Sequence, residues 1–234
     1  MKPIYAQDPR EVGTYGIAEA ARYVSLQPST LRSWVLGRTS PAEPGRSSGP
    51  LIGLPDTAVP LLSFTNLVEA YVLAALRRRH GIKMKKVRDA LSYLQRELGL
   101  PHPLATEALE SDGTSLFLQR FGQLIDLPEA GQLALEPVLR PYLRRIERDE
   151  SGLAARLFPL RRRADVTQAP RSVVIDPHVA FGKPVLTGTG VPTAVVFQRF
   201  DAGESIAVLA EDYGLSPSLI EEAIRYELPY ERAA

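Results

Sequence analysis

Proline and glycine punctuation sets the strongest limit on how this chain can fold. Between Arg38 and Pro60 stand five prolines and six glycine or serine residues (Ser40, Gly45, Ser47, Ser48, Gly49 and Gly53), too many breaks for a helix. Pro101 and Pro103 make a second break. Ser151 to Pro170, which holds the basic triplet Arg161, Arg162 and Arg163, reads as an interdomain connection. The 234 residues therefore divide into pieces of 1–100, 101–150 and 171–234, with 151–170 as linker. No internal repeat is visible at solenoid periods.

Composition excludes several classes. The chain has no cysteine, so it has no disulfide framework, thiol nucleophile or thiolate metal site. Its longest apolar run, Ala70 to Leu76, is seven residues, against about 18 needed to cross a bilayer. No basic segment leads into an apolar one at the start, as a secretory signal would require. A soluble, cytoplasmic protein without a membrane partner is expected.

The net charge of +1 conceals an uneven distribution. Residues 1–100 carry 14 Lys/Arg against 8 Asp/Glu, and residues 171–234 carry 5 against 9. The basic excess lies almost wholly between Arg77 and Leu100, where eight basic residues face only Asp89 and Glu97. A basic front and an acidic back suggest partners of opposite charge.

The fold class read from the pattern is mainly α with small β elements. Gly16 to Tyr23 is a short amphipathic stretch, and Pro28 opens a helix to Leu36 where its missing N–H costs nothing. Ser63 is a good N-cap for a longer helix with Leu67, Val68, Tyr71, Val72, Ala75 and Leu76 on one face. After Gly81 a further helix turns Met84, Val87, Leu91, Leu94 and Leu98 inward. In the middle piece, 115–119 and 123–127 are strand candidates, with a tight-turn signal at Asp112-Gly113, and Pro137 to Arg148 reads as helix. The last piece starts with a strand, Val173 to Ile175, and a hairpin-like segment, Gly182 to Pro192. Three helices follow, about Thr193–Ala202, Glu204–Tyr213 and Pro217–Leu228.

Catalytic chemistry finds no support. Gly182-Lys183 fails as a phosphate loop because Pro177 and Pro184 stand where glycine and Ser/Thr are needed. Gly188-Thr-Gly190 fails as a dinucleotide fingerprint because Thr193 occupies the third glycine position. The three histidines, His80, His102 and His178, are too dispersed for a zinc site. Asp176 and His178, flanking Pro177, read as turn-forming. No catalytic residue, metal site or cofactor is assigned, and no enzyme is expected.

A short helix, a tight connection and a second helix opened by Pro28 make the layout of a helix-turn-helix. Ile17, Ala20, Ala21, Val24, Leu31 and Trp34 supply an apolar inner side; Ser29, Thr30, Arg32 and Ser33 supply small polar or basic residues outward. A plain helical hairpin is the competing reading of the same pattern. Tyr15-Gly-Ile-Ala-Glu-Ala-Ala21 with Pro28-Ser-Thr-Leu-Arg-Ser-Trp34 resembles the winged helix-turn-helix of MerR-type regulators, and Leu62 to Ala70 is similar to the helix after the wing. That resemblance implies Ser29, Thr30, Arg32 and Ser33 near DNA, with Arg38 and Arg46 on the wing. It departs where Gly99-Leu-Pro-His-Pro103 replaces the family's long dimerising helix.

Val173 to Pro192, Phe200 to Ser205 and Leu209 to Tyr213 resemble a small helix-turn-helix-like domain found in VapB-type antitoxins. The whole chain is similar to the long form of that family, departing where Gly190 stands in place of an arginine. The resemblance implies a PIN-like ribonuclease toxin as partner, operator DNA, and an autoregulating homodimer. A PIN-like site is a cluster of carboxylates, which suits Arg161, Arg162 and Arg163 as toxin-binding residues; a solvated linker or a phosphate contact remains the alternative. The acidic tail suits dimerisation or toxin binding better than DNA. The second overall reading is a stand-alone regulator whose middle piece senses a ligand or oligomerises.

Overall fold

Helix α3 (Phe64–Arg78) runs through the middle of the molecule. Leu67, Val68, Ala70, Tyr71, Val72, Leu73, Ala74, Ala75 and Leu76 are all buried, so the helix is covered on nearly every side rather than on one face. Each large apolar side chain so placed contributes about 1.5–3 kcal/mol. The computed structural model describes residues 7–39, 47–78, 84–97, 99, 101–105, 122, 123, 125, 135–160 and 166–228. Its start is secured by reciprocal capping: Ser63 Oγ accepts from the Asn66 amide at 3.2 Å while Asn66 Oδ1 accepts from the Ser63 amide at 3.2 Å.

Around α3 the described residues form mostly helices and four two-stranded antiparallel ladders. Strand β1 (Tyr15–Gly16) pairs with β4 (Leu61–Leu62) and leads into α1 (Ile17–Tyr23) and α2 (Pro28–Val35). Strands β2 (Arg38–Thr39) and β3 (Ser47–Ser48) form a hairpin after α2. Helix α4 is Met84–Glu97, with Val87 and Leu91 buried as its period predicts. Helix α5 (Leu135–Leu143) packs on α3, with Tyr71 and Tyr142 rings 6.0 Å apart.

Three sequence expectations need correction here. The helix expected over 137–148 ends at Leu143, and Ile146–Arg148 is strand β5, paired with β6 (Ala154–Leu157). Gly152, at φ +78, allows the turn between them, and Asp149 Oδ1 accepts from the Ser151 and Leu153 amides. The stretch read as linker thus contains a strand, and Phe158 and Leu160 beyond it are buried. A three-residue strand carrying Glu and Arg has too little alternation to separate it from the helix before it. The candidate strand at 115–119 and the turn at Asp112 lie outside the described residues. In 123–127, Gln123 is helical and the buried Ile125 lies in a turn.

The last unit begins with β7 (Val173–Val174), paired with β8 (Val185–Leu186), and continues as α6 (Thr193–Asp201), α7 (Ile206–Tyr213) and α8 (Pro217–Glu227). Ser205 and Ser216 cap α7 and α8 through their hydroxyls, and Gly214 at φ +62 closes α7. Leu186, Val196, Leu209, Ile220, Ala223 and Ile224 form its own core. The main core nevertheless extends from Tyr15 through α3 to Val173, Ile175 and Tyr226, so the front and back of the chain share one interior. No helix among the described residues is long and apolar enough to cross a membrane.

Candidate nucleic-acid interface

Helices α1 and α2 are fastened by the residues expected from the sequence. Ala20, Ala21, Val24, Leu31 and Trp34 are buried, and Ile17 packs against the same core. The connection is short because Leu26 donates back to the Ala21 carbonyl at 2.8 Å and Ser25 adopts a left-handed φ of +56. That conformation is unusual for a residue other than glycine. The Ser25 hydroxyl donates to the Leu160 carbonyl at 2.9 Å, which ties the turn to the segment after β6.

The outward side of α2 divides in two. Ser29 and Arg32 are exposed and have no side-chain partner among the described residues. Ser33 and Thr30 are half-buried and already engaged: the Ser33 hydroxyl donates to the Thr30 carbonyl at 2.7 Å, and Thr30 Oγ1 accepts from Arg77 Nη1 at 3.0 Å. Arg77, exposed near the end of α3, thus stands beside the first turn of α2. The basic run that it opens was visible in the sequence, but nothing local joined it to a residue 47 positions earlier.

The hairpin after α2 takes the place expected for a wing. Gly37 at φ +80 turns the chain out of the helix, and Arg38 is exposed opposite Ser48. The amides of Leu51 and Ile52 donate to the Trp34 carbonyl at 2.6 and 3.1 Å, fixing the loop that follows the hairpin to the end of α2. Asn66 Nδ2 donates to the Gly53 carbonyl at 2.9 Å, so α3 holds the same loop. Arg46 lies outside the described residues, as do Arg161, Arg162 and Arg163.

Strand β1 and helix α1 together also form the dock for the C-terminal unit. Tyr15 Oη donates to the Gly182 carbonyl at 3.0 Å, Lys183 Nζ donates to Glu19 Oε1 at 2.5 Å, and Arg22 is bonded to the buried Glu227. Glu227 in turn accepts from Thr193 Oγ1 at 2.6 Å. Burial alone would raise the Glu19 carboxyl, but hydrogen bonds from Lys183 and from Tyr23 at 2.8 Å outweigh it and hold the group below its usual range. Burial pushes the Tyr15 hydroxyl up, so it stays a donor at physiological pH. The helix-turn-helix is therefore oriented by the tail as well as by its own core.

A second polar cluster braces α3 from the other side. Glu69 is buried and faces His102 Nδ1 at 3.2 Å, with Asn66 Nδ2 at 3.5 Å. Glu11 lies 3.7 Å from His102 Nε2. Burial raises the Glu69 carboxyl, and the hydrogen bond to Glu69 holds the His102 imidazole above its ordinary value. Asp176 and His178 form the turn read from the sequence, the His178 amide donating to Asp176 Oδ1 at 2.9 Å.

Comparison with known proteins adds five findings. Residues 13–91 match the family described as "Putative DNA-binding HTH domain", and residues 173–226 match "Protein of unknown function (DUF433)". The chain is 32% identical over 232 residues to "Putative antitoxin VapB45" of Mycobacterium tuberculosis, covering 92% of this chain and 93% of that protein. It is 30% identical to the uncharacterized protein Rv2308 of the same organism, covering 96% and 93%. The crystal structure of Rv2018 from Mycobacterium tuberculosis superposes with a TM-score of 0.65 at 27% identity, covering 91% of this chain and 97% of that one.

Proposed function

We propose that this chain, which belongs to the family of VapB45, is the antitoxin of a type II toxin–antitoxin pair that binds its own operator and neutralises a PIN-like ribonuclease. One observation carries the DNA half. Ser29 and Arg32 project unpartnered from the second helix of a helix-turn-helix, with Arg38 exposed on the adjoining hairpin. These are the positions from which side chains reach base edges and phosphates in a major groove. The two-helix unit, the hairpin and the following helices support a MerR-like winged arrangement, and a homodimer on a two-fold operator would supply the contacts that one unit lacks.

The experiment is operator binding by the full chain and by Arg32→Ala on the DNA upstream of its own gene. We expect the variant to lose about tenfold or more in affinity and to discriminate less between operator and unrelated DNA. Equal affinity of both proteins for both DNAs would remove α2 as the reading helix.

The toxin half rests on the family. Arg161, Arg162 and Arg163 are proposed as the basic plug for the nuclease carboxylates. Their alternative, a phosphate contact, gains from one observation: Leu160, immediately before them, is held by Ser25 at the turn that enters α2. Charge reversal at all three separates the two. Loss of toxin neutralisation with intact operator binding supports the plug; the opposite pattern supports the phosphate contact.

A further inference from the structure

The turn before β8 carries one side chain that the fold does not use. Ala180, Phe181 and Gly182 have φ of +48, +54 and +72, three consecutive left-handed residues of which only one is glycine. Each non-glycine residue so placed costs about 1–2 kcal/mol. The turn is nonetheless fixed. Val179 and Gly182 amides donate to the Asp176 and Val179 carbonyls at 3.0 and 2.9 Å, and Lys183 donates to the Ala180 carbonyl at 3.1 Å. Tyr15 closes its far end on the Gly182 carbonyl. Val179 and Ala180 pack against Phe158, Val174 and Val185, whereas Phe181 points away and is 90% exposed. The other exposed large apolar residues among the described ones range from 37% to 48%.

We propose that Phe181 is the anchor by which the protein toxin docks, its ring filling an apolar pocket on that partner. The inference rests on the antitoxin reading above and adds a second toxin contact to the basic triplet proposed there. An aromatic ring buries about 150–250 Å² when a pocket receives it. A ring held in position before binding loses little further freedom, which is what makes a few rigid aromatics dominate protein interfaces. DNA is the poorer occupant: residues 171–234 carry 5 basic against 9 acidic side chains, and phosphates would be repelled there. The turn also lies inside the C-terminal family match, 173–226, apart from α2 and the hairpin that serve DNA.

The test uses the full chain co-expressed with the product of the reading frame adjacent to its own gene. Phe181→Asn suits the backbone, because asparagine tolerates a left-handed φ, and Phe181→Leu keeps an apolar anchor of smaller area. We expect Phe181→Asn to weaken the complex at least about thirtyfold, Phe181→Leu to weaken it less, and both to keep the melting temperature and operator affinity of the parent. Unchanged affinity for the neighbour's product would overturn the proposal. So would dissociation of a homodimer by Phe181→Asn at unchanged toxin affinity, which would assign the ring to a second copy. If the parent chain binds no such product at all, the antitoxin reading itself fails, and the proposal with it.

Discussion

Tyr15 and Gly182, 167 positions apart, meet at a hydrogen bond of 3.0 Å that joins the first strand of the helix-turn-helix to the loop of the C-terminal unit. A Cβ on Gly182 would lie 2.2 Å from the Tyr15 hydroxyl, and the residue's φ is +72. Both facts forbid a side chain there. Gly182→Ala should destabilise the protein by about 2–4 kcal/mol, since it combines a left-handed backbone with displacement of a buried ring. Gly190 has no neighbour within 4 Å of its Cβ position, and its φ is not left-handed. Gly190→Ala should leave thermal melting unchanged, and even an arginine there should fit. A fall in melting temperature for Gly182→Ala no larger than for Gly190→Ala would refute the assignment.

Arg32 and Arg77 should fail differently on DNA. Arg32 stands free on the exposed face of α2, whereas Arg77 is bonded to Thr30 at the edge of that helix. We expect Arg32→Ala to cost about 1–3 kcal/mol and to relax sequence preference. Arg77→Ala should weaken operator and unrelated DNA alike, and lower the slope of log affinity against log salt by about one. Titrations at several salt concentrations on both DNAs distinguish these patterns. Identical behaviour of the two variants would contradict the placement.

The His102–Glu69 pair sets a pH dependence of stability. Both groups have folded values above their unfolded ones, 6.5 for the imidazole and 4.5 for the carboxyl. Each therefore contributes most below its unfolded value, and the contribution fades as pH rises through the folded one. The melting temperature should fall as pH rises above 6.5 through the imidazole, and His102→Gln should flatten that part of the profile. Equal slopes in parent and variant would show that the pair does not titrate in this window.

Local signals carried the helices well. Pro28 and Ser63 mark helix starts within the chain itself, and the structure uses both. What the sequence concealed is non-local. The near-complete burial of α3 depends on α5 and β6 arriving from far along the chain, while its own period advertised one face. Arg145 is another case: it is buried and donates to the carbonyls of Phe158, Ala169 and Pro170, each at 2.9 Å. Those bonds fasten the end of the stretch that composition alone presents as a free linker. In the candidate interface, Ser29 and Arg32 are exposed on α2, but Thr30 and Ser33 already have partners, one of them supplied by the distant Arg77.

The most direct test is to isolate the full chain with the product of its neighbouring gene and assay that partner for RNA cleavage, in the complex and after separation. We expect a stoichiometric complex that is silent toward RNA and a separated partner that cleaves it. Recovery of the chain with DNA alone, under conditions that preserve tight complexes, would contradict the antitoxin reading and leave a transcription regulator without a toxin.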